Sequence, residues 1–267
     1  MDIEINYNLS VGKNADNKYK LKNKYVSKIK GLDIAIESTK KKLEKLNKKV
    51  DVKKSGLVVE KKKAITKKWY SKFRWFFTTN GFLVLAGRDS KNNEFLIKKH
   101  LEKNDVYFHA DVFGAPHVVL KNLEKKEIPE QDLTEAAEFA AIFSSAWKNQ
   151  IFSVDVYSVS SDQVSKTANA GESLGTGAFV IRGKRKYYKK INLELAISFS
   201  KELGLFVSPI SAVTRYSKKY FILVPGTLKK SEVANKLKNL FFEKLKIKLS
   251  TDEIDGVLPS GKSDIKN

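Results

Sequence analysis

The chain of 267 residues reads as an α+β protein: a mixed, mainly antiparallel sheet with packed helices, preceded by an antiparallel helical coiled-coil hairpin. Three observations predict this class. Tyr25, Ile29, Leu32, Ile36, Thr39, Leu43, Leu46 and Val50 follow one another at alternating steps of four and three, the seam of a heptad. From Arg74 the apolar period shortens towards two, around an Asn80-Gly81 pair that favours a tight hairpin. Longer helical patterns at 133–147 and 229–248 are then interspersed with short strand-like runs.

In chain order, residues 1–12 are acidic and alternating, and read as a lead-in strand. Residues 13–72 carry 21 Lys/Arg and 6 Asp/Glu, so a net +15 of the chain's +21 sits there. The seam occupies the first arm of this basic hairpin. Asp51 and Ser55-Gly56 supply the turn, and Val58, Ile65, Trp69, Phe73 and Phe76 supply the stripe of the second arm. The first arm is the longer, which leaves part of its seam for another partner, including an oligomer through the coiled coil.

A domain over 73–258 follows. Arg74–Thr79 and Phe82–Gly87 form the hairpin, and Asn93–Leu101 a short helix. Asp105–Val112, His117–Lys121 and Val154–Val159 are strands. Leu133–Trp147 is an amphipathic helix begun by Asp132 or Thr134. A polar, Gly-rich stretch spans Ser160 to Gly177. Phe179–Arg182, Leu193–Phe199, Leu205–Val207 and Tyr220–Val224 complete the strands, with Pro225-Gly226 stopping the last. Lys229–Lys248 is a helix with Val233, Leu237, Leu240, Phe241 and Leu245 inward, Thr251–Gly256 adds a turn, and 259–267 is a polar tail.

Composition bounds the function. With 42% hydrophobic residues the chain can build a core, and its charge excess predicts a polyanionic partner, nucleic acid before an acidic membrane surface. The absence of cysteine removes disulfides, Cys-based zinc sites and thiol catalysis, and agrees with a reducing cytosol. The apolar runs are far shorter than the roughly 20 residues of a membrane span, and the chain starts with no signal-like segment, so a soluble, cytoplasmic protein is expected.

Few motifs suggest chemistry. His109 and Asp111 share a strand face with His117 nearby, which admits a metal site; the preferred reading is a hydrogen-bonded pair ordering a loop, or a phosphate contact. Arg88-Asp89 with Asn93 reads equally as a turn salt bridge with a helix cap, or as an arginine offered to RNA and held by the aspartate. Gly171, Gly175 and Gly177 match neither a P-loop nor a dinucleotide fingerprint. Gln163, Lys166, Thr167, Arg182, Lys184 and Arg185, with Tyr187 and Tyr188 in the same basic run, pair phosphate-neutralising groups with stacking rings. No nucleophile–base set and no paired carboxylates appear, so catalytic residues, metals and cofactors are not expected and the protein is not read as an enzyme.

The motifs together resemble a known family. Lys72–Phe76 (with Arg74), Ala86–Asp89 with Asn93-Glu94, Asp105–Asp111, Gly114-Ala115, Leu133–Ala137, Ser144–Trp147, Gln163–Ala168, Gly171–Leu174 and Thr176–Lys184 occur in the order of the NFACT-R domain of the NFACT family. The segment before the coiled coil and the C-terminal ending, Asp252–Ile254 with Leu258–Ile265, are similar as well, and the ending with the Lys-rich composition suggests an archaeal source. Ala86 and Ser173 are small departures. The family's NFACT-N domain and helix-hairpin-helix elements have no counterpart in this sequence, which suggests a separately encoded NFACT-N half or a shortened chain. The resemblance implies a protein of ribosome quality control that binds the large ribosomal subunit, through ribosomal RNA, and tRNA at stalled nascent chains, and that supports template-free tailing while the ribosome itself forms the peptide bonds. Two other classes stay open: a nucleic-acid-processing enzyme using His109 and Asp111, and a protein-binding adhesion scaffold.

Overall fold

The computed structural model describes residues 5–53, 68–167 and 174–266. The chain divides into two units, 1–64 and 65–267.

Among the described residues, the first unit contains one helix, α1 (Val11–Lys53). Its start is built by short polar side chains. Lys13 N–H donates to Ser10 Oγ (3.4 Å), and the Asn14 amide donates to the carbonyls of Asn6, Leu9 and Ser10. These bonds hold a turn, so residues 5–12 contain no strand, contrary to the lead-in strand expected there. The seam residues Tyr25, Ile29, Leu32 and Ile36 lie exposed on α1. Val58 and Ile65, on the expected second arm, are outside the described residues. The remaining positions assigned to that arm belong elsewhere: Trp69–Lys72 is a 3-10 turn, and Phe73 and Phe76 are core residues of the second unit. Their helical spacing coincides with an alternation that a sheet uses on both faces.

The second unit is α+β. Its strands β1 (Arg74–Phe77) and β2 (Leu83–Ala86) pair antiparallel, with Arg74 opposite Ala86 and Phe77 opposite Leu83. Gly81 in their turn has φ +93°, a conformation that costs a side-chain-bearing residue far more. With β3 (Val106–Ala110), β4 (Val118–Lys121), β5 (Ser153–Ser160) and β8 (Lys186–Asn192) they form a six-stranded antiparallel sheet, ordered β1-β2-β4-β3-β5-β8. The short strands β6 (Val164–Ser165) and β7 (Val180–Ile181) pair separately. A four-stranded sheet, β10-β9-β11-β12, contains β9 (Leu195–Ser200), β10 (Gly204–Ser208), β11 (Tyr220–Leu228) and β12 (Ser263–Lys266).

Helices cover both faces of the large sheet. On one, α3 (Glu130–Ile142) buries Ala136, Ala137, Phe139 and Ala140 with Phe76, Val84, Phe108 and Val118. On the other, α2 (Ser90–His100) buries Leu96 and Ile97 with Phe73, Leu85, Tyr107 and Val119. The core continues into the second sheet, where α6 (Lys230–Leu245) places Val233, Leu237 and Phe241 beside Ile197 and Leu223. Leu240 and Leu245 are only partly buried.

Several elements differ from the sequence reading. The helix expected over 133–147 begins earlier, after Pro129, and breaks at Phe143 before α4 (Ser145–Lys148). Ser144 causes the restart by accepting from Ala146 N–H (3.2 Å). Asp132 does not cap α3; it accepts from the Asn80 backbone (3.1 Å) and side-chain amide (2.7 Å), while Glu135 accepts from Thr79 N–H (2.8 Å) and Oγ1 (2.5 Å). Two buried carboxylates thus hold the β1–β2 turn. Pro225-Gly226 does not end β11, because the ladder shifts register and the Asp264 carboxylate accepts from Thr227 and Leu228 N–H. The polar tail is partly strand β12, tied inward by Trp147 Nε1–H donating to Ser263 Oγ (3.0 Å). The basic run 186–192 is strand β8, α5 (Ile210–Tyr216) has no counterpart in the sequence reading, and α7 (Thr251–Asp255) is the last helical turn.

At one end of the central strands β3 and β4 lies a buried ion pair. Lys121 Nζ donates to Asp105 Oδ2 (2.5 Å) and His100 O (2.8 Å), and Asp105 also accepts from Glu102 and Asn122 N–H. Both side chains are at most 2% exposed.

Glu138 on α3 has its pKa raised to about 7, by burial first and then by Glu135 and Glu194. Between the ordinary carboxyl value of 4.5 and about 7 the folded chain keeps this proton and the unfolded chain does not. Stability therefore falls as pH rises through that window and levels off above it. Glu138→Gln is expected to stabilise the protein by about 1–3 kcal/mol at pH 8 and by almost nothing at pH 4, read from urea melts at both pH values.

Candidate nucleic-acid interface

The β5–β8 edge of the large sheet displays basic groups over aromatic rings. Cross-strand register sets Tyr157 opposite Tyr187, so both rings share one face, with centroids 6.0 Å apart. Tyr188 points to the other face and is buried against Phe108. The Arg185 guanidinium lies 4.4 Å from the Tyr157 ring centre, and Lys189 Nζ 4.4 Å from that of Tyr187. Tyr187 is 40% exposed. Asp155 holds the strand's irregular end, accepting from Lys189 Nζ (2.7 Å) and Lys190 N–H (2.8 Å), and the Lys189 bond chiefly lowers its pKa.

Inward of these rings, His109 packs beside Tyr107, His117 and Tyr157. Burial first, then His117, lowers its pKa to about 4, so it is neutral at pH 7. His117 Nε2–H donates to Gly177 O (2.6 Å), which leaves Nδ1 to accept from the Tyr107 hydroxyl (2.5 Å). His109 is not paired with Asp111: its ring bonds involve the backbone at Ala110 and Ala115, and Asp111 is exposed with its N–H given to Asp155 O. Among the described residues no group of three or more His, Asp or Glu is placed to hold a metal.

The polar stretch after β5 is tied mostly to itself. Gln163 accepts from Ser160 N–H and donates to the carbonyls of Arg182 (2.6 Å) and Lys184 (3.1 Å). Lys166 Nζ donates to Gly175 O (2.9 Å) and Ala178 O (3.0 Å) and lies 3.6 Å from Glu94. Arg182 donates to Thr167 O (3.2 Å). Glu94, held to a pKa of about 2 by Lys98 and the Gly177 N–H, anchors this segment to α2. Residues 168–173, with Gly171, are outside the described set.

Arg74 and Arg88 converge at a separate concavity. Asp89 does not brace Arg88; it caps α2 by accepting from Asn92 N–H (2.8 Å). Asn93 Oδ1 accepts from His117 N–H (3.2 Å). Gly87 packs on that same amide, where a Cβ would stand 1.9 Å from Asn93 Oδ1 and 3.0 Å from its Cα. Gly87→Ala is expected to destabilise the fold by about 2–3 kcal/mol in chemical denaturation, since the residue met is backbone-anchored.

A family model described as "NFACT protein RNA binding domain" matches residues 72–183. Residues 72–183 are an NFACT-R domain. The "Archaeal Rqc2 homolog aRqcH" of Methanocaldococcus jannaschii is 39% identical over 215 residues, covering 79% of this chain and 31% of that protein. The "Ribosome quality control complex subunit NEMF homolog" of Drosophila melanogaster is 34% identical over 198 residues, 73% of this chain and 20% of that one. Human "Ribosome quality control complex subunit NEMF" is 36% identical over 171 residues, 64% and 15% respectively. The chain thus spans less than a third of these relatives' length. A solved structure of the C-terminal part of the fibronectin/fibrinogen-binding protein of Streptococcus suis covers 69% of this chain and 77% of its own at 23% identity, with a TM-score of 0.38.

The predicted residues, all but Lys184 and Arg185 within the matched segment, therefore fall into three groups. Arg74, Arg88 and Asn93 line the concavity, with Asp89 capping α2 beside them. Gln163, Lys166, Thr167 and Arg182 brace the loop, and Lys184 lends it a carbonyl. His109 lies under the aromatic face, Asp111 is exposed beside the same sheet edge, and Arg185 lies on that face, just past the C-terminal limit of the matched segment. Sequence reasoning missed Tyr157, which only the β5–β8 register reveals, and Lys148, which follows from the restart of the helix at Ser144. Reading Lys186–Asn192 as an alternating strand would have separated Tyr187 from Tyr188.

Proposed function

We propose that this chain is a cytoplasmic RNA-binding component of ribosome quality control, which docks on ribosomal RNA of the large subunit, and on tRNA, at stalled nascent chains. The observation that carries this reading is the Tyr157–Tyr187 face, where the Arg185 guanidinium is placed to meet a phosphate and a half-exposed ring is left for an unpaired base. The names of its relatives and the basic α1 point the same way. The role is binding: the ribosome forms the peptide bonds.

Tyr187→Ala is expected to weaken binding of a short single-stranded RNA by about five- to a hundredfold, with far-UV circular dichroism unchanged because the ring is 40% exposed. Purified protein should also co-sediment with large subunits, increasingly less as salt rises. Failure to bind both large subunits and tRNA at low salt overturns the proposal.

A further inference from the structure

The concavity beside β2 and α2 has a volume of about 370 Å³ and is lined by Arg74, Arg88, Lys148, Ser90, Asn93 and Ser145, among others. That lies within the range of roughly 300–1,000 Å³ typical of small-ligand sites. Its cations are held in place by neutral groups. Arg74 donates to Gly87 O (3.0 Å) and rests 4.8 Å from the Phe143 ring centre; Arg88 donates to Gly256 O and Phe73 O (3.1 Å each). Among the described residues, no carboxylate makes an ion pair with Arg74, Arg88 or Lys148. The nearby carboxylate, Asp89, is committed to capping α2.

Two guanidinium groups side by side repel each other, and burial adds to the cost. Burial first, then Arg88, brings the Arg74 pKa down to about 10, still well above neutrality, so both charges persist at pH 7. An arrangement that keeps two arginines charged, orients them through carbonyls and surrounds them with hydroxyls is complementary to a tetrahedral oxyanion.

We propose that this concavity binds a single phosphate group carried by a nucleotide, with Arg74 and Arg88 as a paired clamp and Lys148 at its rim. The inference deepens the RNA-binding reading and rests on it for the bearer of the phosphate. The aromatic face would take bases, and this site, on different residues, would take a phosphate.

The test uses the full chain with Arg side chains labelled, following the Nε–H resonances of Arg74 and Arg88. Inorganic phosphate, 5′-phosphorylated oligouridylate and 5′-hydroxyl oligouridylate are titrated separately at matched ionic strength. Phosphate and the 5′-phosphorylated RNA are expected to move both resonances. Arg88→Gln and Lys148→Glu should each weaken the phosphorylated RNA by about tenfold or more. Lys148 is exposed, so that variant reports even if Arg88→Gln unfolds the chain. Equal shifts from the 5′-hydroxyl RNA would also support the site and identify an internal phosphodiester as its occupant. If none of the three probes moves the resonances, or chloride moves them equally, the inference is overturned. Continued co-sedimentation with large subunits would then leave the RNA-binding reading standing, and the reverse pattern would separate the two in the other direction.

Discussion

Lys121→Met is expected to lower the free energy of unfolding by about 3–5 kcal/mol, among the largest effects of any single substitution in this chain. The Lys121 ammonium and the Asp105 carboxylate are both withdrawn from water, and each is the other's counter-ion. Removing the lysine leaves a buried carboxylate with the Glu102 and Asn122 N–H bonds but no cation. It also strands the carbonyl of His100 at the end of α2. Removing both charges together is a different matter, because desolvation then disappears along with the attraction. The double variant Lys121→Met/Asp105→Leu should recover part of the loss, and urea titration of the two single variants and the double gives the coupling energy. Additive losses would show that the pair is not coupled.

Neutralising α1 should have the largest effect on binding. Replacing Lys18, Lys22, Lys24, Lys28 and Lys30 with Gln keeps a helix-forming side chain at each position while removing charge. If those lysines meet ribosomal RNA phosphates, large-subunit affinity at low salt should fall by about ten- to a hundredfold. The slope of log K against log salt should flatten by about 0.7–0.9 for each phosphate that the variant no longer neutralises. Changing Arg88 and Arg182 together should cost less, since Arg182 is spent on Thr167 O and Arg88 would neutralise a single phosphate against several along α1. An unchanged slope in the five-fold variant would show that the charge of α1 is solvation alone.

Much of the fold was readable where local chemistry and tertiary structure agree. Asn80-Gly81 between alternating runs, the Val233–Phe241 spacing and the alternation of β3 and β5 each specify an element without help from elsewhere. The failures are also local. Lys186–Asn192 looks like a solvated loop because its outward residues are lysine, and its status as a strand comes from pairing with β5. Ser263–Lys266 has a single large apolar residue and becomes a strand only because β11 offers an edge. In the candidate site, residue types could be chosen but not their roles. Lys166, Gln163 and Arg182 all bond backbone carbonyls, which carry no residue identity and so leave no trace in the sequence. Arg74 and Arg88 meet because Arg74 stands opposite Ala86, one residue before Gly87, a fact of register.

The position of β12 also bears on the order in which the molecule can be completed. Ser263 is joined to Trp147 across 116 residues of chain, and its strand closes the edge of a sheet whose other members are already made. During synthesis from the N-terminus, the six-stranded sheet can assemble first, while Trp147 waits for its acceptor and β11 stays open along one side. Such long-range closure is slow compared with hairpin formation. A late closing step of this kind leaves a newly made chain with an unsatisfied edge until β12 is free to dock.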